Sequence, residues 1–311
     1  MTIDNSVKYS DFPIENNSKA SSPFLYHVTH IESAVSILIE DRICAWQLNE
    51  DPKLADLTGV WLTPNTWADG SFYGNIRFGI NIVSVVESYR FYWIGISKWY
   101  DERTCNFIIS TDSLDGRGFT SYDIQDSPGP LRFRNGSLER NSSCNIHIIH
   151  NGSVPMNKIN NLSTIDHHGE RCLRSNACEK LNKITARRLL IAQCLKESRY
   201  IPNILLEDTE AVIDFLEHLY SIVSFGKTYK ADGLNGNDAN SLELAKKIVD
   251  QYAMSAHDGD LKLCKSLSEN FSNALLARNA IVLYIKRYIG EKFVMVDRED
   301  KYEFGTGNCF A

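Results

Sequence analysis

FLYHVTHIESAVSILIEDRI, residues 24–43, runs without a break from a strand-like piece into a helical one and places two imidazoles, His27 and His30, at the junction. Phe24 to Val28 carries the aromatic and β-branched side chains that suit a pleated, half-buried surface. Ile31, Ala34, Val35 and Leu38 then recur at helical spacing, which makes one face of the following segment apolar. Thr29-His30-Ile31-Glu32 fits a capping box, with the Thr29 hydroxyl and the Glu32 carboxylate expected to satisfy free amides at the helix start.

Outward from this unit the first half of the chain reads as mostly β. TGVWLTP (58–64) predicts a short buried strand that Pro64 ends, because proline cannot donate to a ladder. An aromatic-rich turn, WADGSFYGN (67–75), follows it. IRFGINIV (76–83), YRFYWIGI (89–96), CNFIISTD (105–112) and CNIHIIHNG (144–152) are further strand candidates, rich in β-branched and aromatic residues. The second half changes character. TARRLLIAQCLKES (185–198) predicts a helix, and in DTEAVIDFLEHLYSIVSF (208–225) Val212, Phe215, Leu216, Leu219 and Ile222 form one apolar stripe. A Gly/Asn-rich loop (226–240) precedes two more helical patterns, Leu244 to Tyr252 and Leu261 to Ile289. The expected organisation is a flexible N-terminal arm over 1–23, a β-rich domain over 24–201 and a helical domain over 202–311.

Composition narrows the function classes. At 311 residues, with 43% hydrophobic and 23% charged content, the chain has the make-up of a soluble globular protein. No apolar run reaches membrane-spanning length, and the polar N-terminus lacks an apolar export core, so a cytoplasmic protein with no membrane partner is expected. The eight cysteines show no framework spacing and read as reduced thiols. A net charge of −6 argues against nucleic-acid binding over the whole surface but is compatible with a local basic channel. Arg171, Arg174, Lys180, Lys183, Arg187 and Arg188 face only Glu179 within one short stretch. That cluster is either a solvated helix face or a track for a polynucleotide backbone.

The order of strand with Tyr26-His27, helix, strand GVWLTP and aromatic turn resembles the start of an ADP-ribosyltransferase fold, and YHVTHIESAVSILIED is closest to the DarT family of nucleic-acid ADP-ribosyltransferases. The resemblance covers roughly residues 24–174 and is best at the first of the family's three motifs. It implies an α+β fold with a split β-sandwich core followed by an α-helical region, NAD as co-substrate, a DNA or RNA acceptor, and a toxin or phage-defence role with a neutralising antitoxin protein. His27, Thr29, Thr63, Tyr73 and Arg77 are the implied cofactor-binding residues, and His27, Tyr73 and a later glutamate the catalytic ones. The residue types suit those tasks. An imidazole can hydrogen-bond a ribose hydroxyl, an aromatic ring can cover nicotinamide, and a guanidinium matches pyrophosphate geometry. Thr63 is expected to buttress the strand edge. A carboxylate is needed to stabilise a cationic sugar and to activate the acceptor. Glu170 is the first choice, Glu139 the second, and Glu87 lies too near the second strand. Arg171, Arg174, Arg187 and Arg188 are the expected nucleic-acid contacts.

Competing readings remain at this level. The acceptor can be a protein, the fold can serve as a binding or sensing module without turnover, or His27, His30 or His147 can act as acid and base in a nuclease. His167, His168, Cys172 and Cys178 are metal-ligating types, but their spacing matches no standard zinc motif, so no metal is expected.

Overall fold

The computed structural model describes residues 3–4, 6–9, 19–48, 54–99, 102–140, 144–168, 172, 181–198 and 203–206. In chain order these form β1 (Ile3–Asp4), β2 (Lys19–Ser22), β3 (Phe24–Thr29), α1 (Ile31–Glu40), β4 (Arg42–Ile43), β5 (Trp46–Gln47), β6 (Thr58–Leu62), β7 (Ile76–Asn81) and α2 (Ile82–Ser88). There follow β8 (Arg90–Trp99), β9 (Glu102–Ser110), β10 (Thr120–Tyr122), β11 (Leu131–Arg134), β12 (Ser137–Arg140), β13 (Asn145–Asn151), β14 (Val154–Pro155), β15 (Ile159–Thr164), α3 (Lys183–Ser198) and α4 (Asn203–Leu206). The fold is mixed α+β and dominated by sheet, with few helices and a curled main sheet.

The main sheet runs β1-β8-β9-β13-β6-β5, with β10 also paired to β8. All of its pairings are antiparallel except β9 with β13. A second sheet, β15-β7-β3, is antiparallel throughout and carries the first motif on its edge strand β3. A third, β11-β12-β2, shares no ladder with either but packs Leu131 and Leu138 into the same core. Alternation puts Leu25, Ile76, Phe78 and Ile80 into the core, each under 5% exposed, where α1 adds Ile31, Ala34, Val35 and Leu38. That α1 stripe is the one its sequence spacing predicts. Helix α3 is buried from Thr185 to Cys194 apart from the half-buried Arg187 and Arg188, and packs against α1 and β15. Burial pushes the Cys194 thiol well above its ordinary value, which keeps it protonated and inert.

Local expectations are revised at several points. Thr29 does not cap α1, because it still pairs with Ile76 as the last residue of β3. His30 takes the N-cap position and makes no side-chain cap bond. The segment read as a single strand over 76–83 breaks at Asn81, whose side chain accepts a hydrogen bond from Val83 N at 2.8 Å and starts α2. The N-terminal arm is not wholly loose, since Ile3–Asp4 pairs with β8 and Lys19–Ser22 with β12. Past the expected boundary at 201–202, Leu205 of α4 is buried in the same core, with Ile204 packed beside it. The helices expected after residue 207 lie outside the described residues. Among the described residues, no helix is long and apolar enough to cross a membrane.

Candidate functional site

Strands β3 and β6 touch through one backbone pair and then part. Tyr26 N donates to Thr63 O at 2.8 Å and Thr63 N to Tyr26 O at 2.9 Å. One residue further along β3 a side chain meets the β6 backbone, with His27 Nδ1 3.1 Å from Trp61 O. A carbonyl can only accept, so this contact assigns the proton to Nδ1 and leaves Nε2 as an acceptor. The half-buried ring is held below its ordinary pKa by desolvation, with the Trp61 carbonyl pulling the other way. His27 is therefore a neutral, oriented imidazole at the place where the two sheets split.

Thr63 is committed to the frame beside it. Its hydroxyl donates to Ile146 O at 2.9 Å and accepts from Asn65 N at 3.1 Å, tying the end of β6 to β13 and shaping the turn that follows. This matches the buttressing expected of it and leaves little capacity for a ligand.

The register separates His27 from Arg77. His27 lies opposite Phe78 and Val28 opposite Arg77, so the His27 and Arg77 side chains leave the sheet on opposite faces. Thr29 shares the His27 face by alternation. On the other face the Arg77 guanidinium sits 4.5 Å from the centre of the Tyr26 ring, which lies against Gly79 where a Cβ would come within 3.1 Å of it. Arg77 Nε donates to Ser163 Oγ at 2.9 Å and its NH1 group to Thr66 O. The structure does not bring Arg77 to His27. It makes Arg77 a clasp between β15 and the 64–75 loop.

That loop carries Tyr73 and is folded tightly. Asn65 and Thr66 lead into Trp67, whose positive φ of 52° is rare for a bulky residue and whose buried indole N–H has no hydrogen-bond partner among the described residues. Trp67 packs edge-on against Tyr73 at 5.4 Å and Phe72 at 6.3 Å. Gly74, at φ 136°, lies directly on the Thr29–His30 peptide, which seats Tyr73 against the β3–α1 junction. Asn75, 2% exposed, donates from Nδ2 to Ile165 O at 3.2 Å and Leu181 O at 3.0 Å. One side chain thus gathers the loop, the end of β15 and the approach to α3.

The same junction collects a group that sequence spacing does not suggest. His30 Nε2 is 3.1 Å from Cys172 Sγ, and the His30 and His167 rings meet edge-to-face at 5.1 Å. One ligand-type atom from each of His30, His167 and Cys172 lies within 4.8 Å of the others. His167 is fully buried and its Nδ1 donates to Ser71 O at 2.8 Å. Burial, as the largest cause, lowers its pKa; the Ser71 carbonyl and the nearby Glu32 carboxylate oppose this, and His168 adds to it. His168 itself turns to Asp69 O and packs on Phe72.

Other candidates fall elsewhere. Glu170, Arg171, Arg174 and Cys178 lie outside the described residues. Glu139 sits on β12 opposite Arg132, in the third sheet and not in the one carrying His27. Glu87 is exposed on α2. Arg187 and Arg188 are half-buried near the start of α3, not on a fully solvated face. His147 is pushed down to about 4 by burial and packs edge-on against Trp61, so it is unprotonated near neutral pH and unsuited as a general acid. His150 is spent on Gly152 O and the Tyr89 hydroxyl. Sequence reasoning placed His30 inside the Thr29–Glu32 capping box and named it as a nuclease acid or base, but did not join it to His167 and Cys172. Its only hint was that His, unlike Thr or Ser, is not a favoured capping residue. Comparison with family models, curated proteins and solved structures returns no match.

Proposed function

We propose that this chain is an NAD-dependent ADP-ribosyltransferase acting on nucleic acid. The observation that carries the reading is the split between β3 and β6, with a neutral His27 oriented in it by Trp61 O. A dinucleotide site needs a wedge between sheets, a ring nitrogen ready to bond a ribose hydroxyl and an aromatic cover, and these residues fit it. His27 offers Nε2 as an acceptor. Thr29 shares its sheet face, and Tyr73 is seated on the same junction through Gly74. Arg77 is left out of the cofactor set and positions the loop through Thr66 O. When bound, NAD supplies the ADP-ribosyl group, its bond to nicotinamide breaking as the acceptor bonds to the anomeric carbon. Glu170 is assigned the carboxylate that takes the acceptor's proton and balances the positive charge on the sugar.

The resemblance of YHVTHIESAVSILIED to the DarT family favours DNA or RNA over protein as acceptor, and carries with it a toxin role and a neutralising protein partner. The test is incubation of the full chain with NAD labelled on its adenosine half and separate pools of DNA, RNA and protein, with free nicotinamide measured in parallel. Label in a nucleic-acid pool with matching nicotinamide release is expected. Label in the protein pool alone moves the acceptor. No nicotinamide release with any pool refutes the transferase reading.

A further inference from the structure

The geometry points to a zinc-binding site formed by His30, His167 and Cys172, which staples the segment after β15 onto the junction of β3 and α1. Two chain segments far apart in sequence, one bearing His30 and the other His167 and Cys172, converge there on one point, with ligand-type atoms within 4.8 Å of one another. Zinc bonded to nitrogen at about 2.0–2.1 Å and sulfur at about 2.3 Å sets tetrahedral edges of about 3.3 to 3.6 Å. To admit the ion the 3.1 Å from His30 Nε2 to Cys172 Sγ must open by a few tenths of an ångström, and a pair at the 4.8 Å limit must close by about an ångström or more. Two imidazoles and a thiolate are the donor set that zinc prefers over magnesium or calcium.

The surroundings are those of ligands held in place. His167 is fully buried and donates Nδ1–H to Ser71 O at 2.8 Å, the outer-shell bond that fixes the tautomer and leaves Nε2 to bind metal. Ser71 is itself pinned, since its N–H donates to Asp166 O at 2.9 Å and its carbonyl accepts from His168 N at 2.9 Å. Glu32, in the first turn of α1, adds negative charge close to His167. His30 lies at the N-cap with no side-chain cap bond, so its ring is turned to the cluster instead of to the helix. Three protein ligands leave a fourth tetrahedral position for water or another side chain. On binding, Cys172 gives up its thiol proton to solvent, and the ion's charge is balanced by the thiolate and the nearby carboxylate.

The site stands apart from the transferase reading and is tested without NAD. The full chain, stripped with a chelator and dialysed, is titrated with Zn2+ alone, and bound metal is counted by mass spectrometry of the native protein. One tightly held zinc per chain and a higher melting temperature are expected. Co2+ in its place should give a thiolate-to-cobalt charge-transfer band that Cys172→Ser abolishes. Cys172→Ser and His30→Gln should each weaken zinc by at least about tenfold, since losing even an outer-shell partner costs that much. Both positions are only half-buried, so the variants are expected to fold, and far-ultraviolet circular dichroism checks this. Iodoacetamide should label Cys172 more slowly in the zinc-loaded chain. No zinc uptake, or uptake unchanged in both variants, overturns the site. So does rapid alkylation of Cys172 that zinc does not slow, which would mark His30 and Cys172 as a thiolate–imidazole pair instead.

Discussion

Replacing Gly74 by alanine tests whether the aromatic loop is seated on the β3–α1 junction. A Cβ built on Gly74 lies deep inside van der Waals contact of the Thr29 carbonyl group and 2.5 Å from His30 N. Both obstacles are backbone, and that backbone is held by the pairing of Thr29 with Ile76 and by the start of α1. The loop must therefore give way. The φ of 136° adds a second cost, about 1–2 kcal/mol for a residue with a side chain in this half of backbone space. Overpacking against a fixed neighbour adds about 1–3 kcal/mol. The sum, about 2–5 kcal/mol, is a large share of the stability of about 5–15 kcal/mol typical of a folded protein. Gly116→Ala is the control, because Gly116 also has a positive φ, 85°, but nothing lies within 4 Å of its Cβ. It should cost only the backbone part. In urea, with a slope of about 2–3 kcal/mol per molar, Gly74→Ala should lower the midpoint by about 1 M or more and Gly116→Ala by half a molar or so. Tryptophan fluorescence follows both, and nicotinamide release should fall in the first variant only. Equal midpoints for the two variants would show that the loop does not rest on Thr29 and His30, and the site geometry built on that contact would fail.

Other consequences are smaller but equally direct. His147 titrates near 4 in the folded chain against about 6.5 unfolded, so the unfolded state binds more protons between those values. Stability should be complete above pH 6.5 and fall by about 3 kcal/mol as pH drops to 4; His147→Phe should flatten that slope in urea midpoints, and an unchanged slope would assign it to other groups. Tyr122 is 3% exposed, with its hydroxyl donating to Leu131 O and accepting from Leu131 N at 3.2 Å, and burial as the main cause raises its pKa to about 12. Tyr122→Phe should cost about 1–3 kcal/mol by stranding two buried backbone groups, and a loss under half a kcal/mol in chemical denaturation refutes that. Glu170→Gln should leave the melting temperature intact and remove nicotinamide release; full activity transfers the role to another carboxylate. Changing Arg187 and Arg188 to alanine should weaken oligonucleotide binding and lower the salt slope by about 0.7–0.9 per lost phosphate contact. A fall in melting temperature with binding intact would instead make them structural partners of their half-buried surroundings.

Much of the fold is legible along the chain because the elements concerned are dictated locally. The strands at 24–29, 58–62, 90–99, 102–110 and 145–151 and the helix at 183–198 fall on the β-branched, aromatic and helical patterns that predict them. Residues 82–88 show where that logic stops. IVSVVES is rich in β-formers, yet Asn81 caps it and it forms a helix, because one satisfied amide at the right position outweighs a weak propensity. The third sheet was not legible, since its strands are short and β2 joins it from the segment read as an arm.

The site divides in the same way. By itself the sequence determined an α+β chain, a strand-to-helix unit bearing His27 and His30, a strand ended by Pro64, and the aromatic turn with Tyr73, since each depends on neighbours within a few residues. Tertiary structure decided which side chains share a face and a point in space. Only the pairing of β3 with β7 separates His27 from Arg77, because shifting an antiparallel register by one residue exchanges the faces of a strand. Only folding brings His30 to Cys172 across 142 residues of chain. Backbone pairing and core packing set that distance, and no local spacing encodes it.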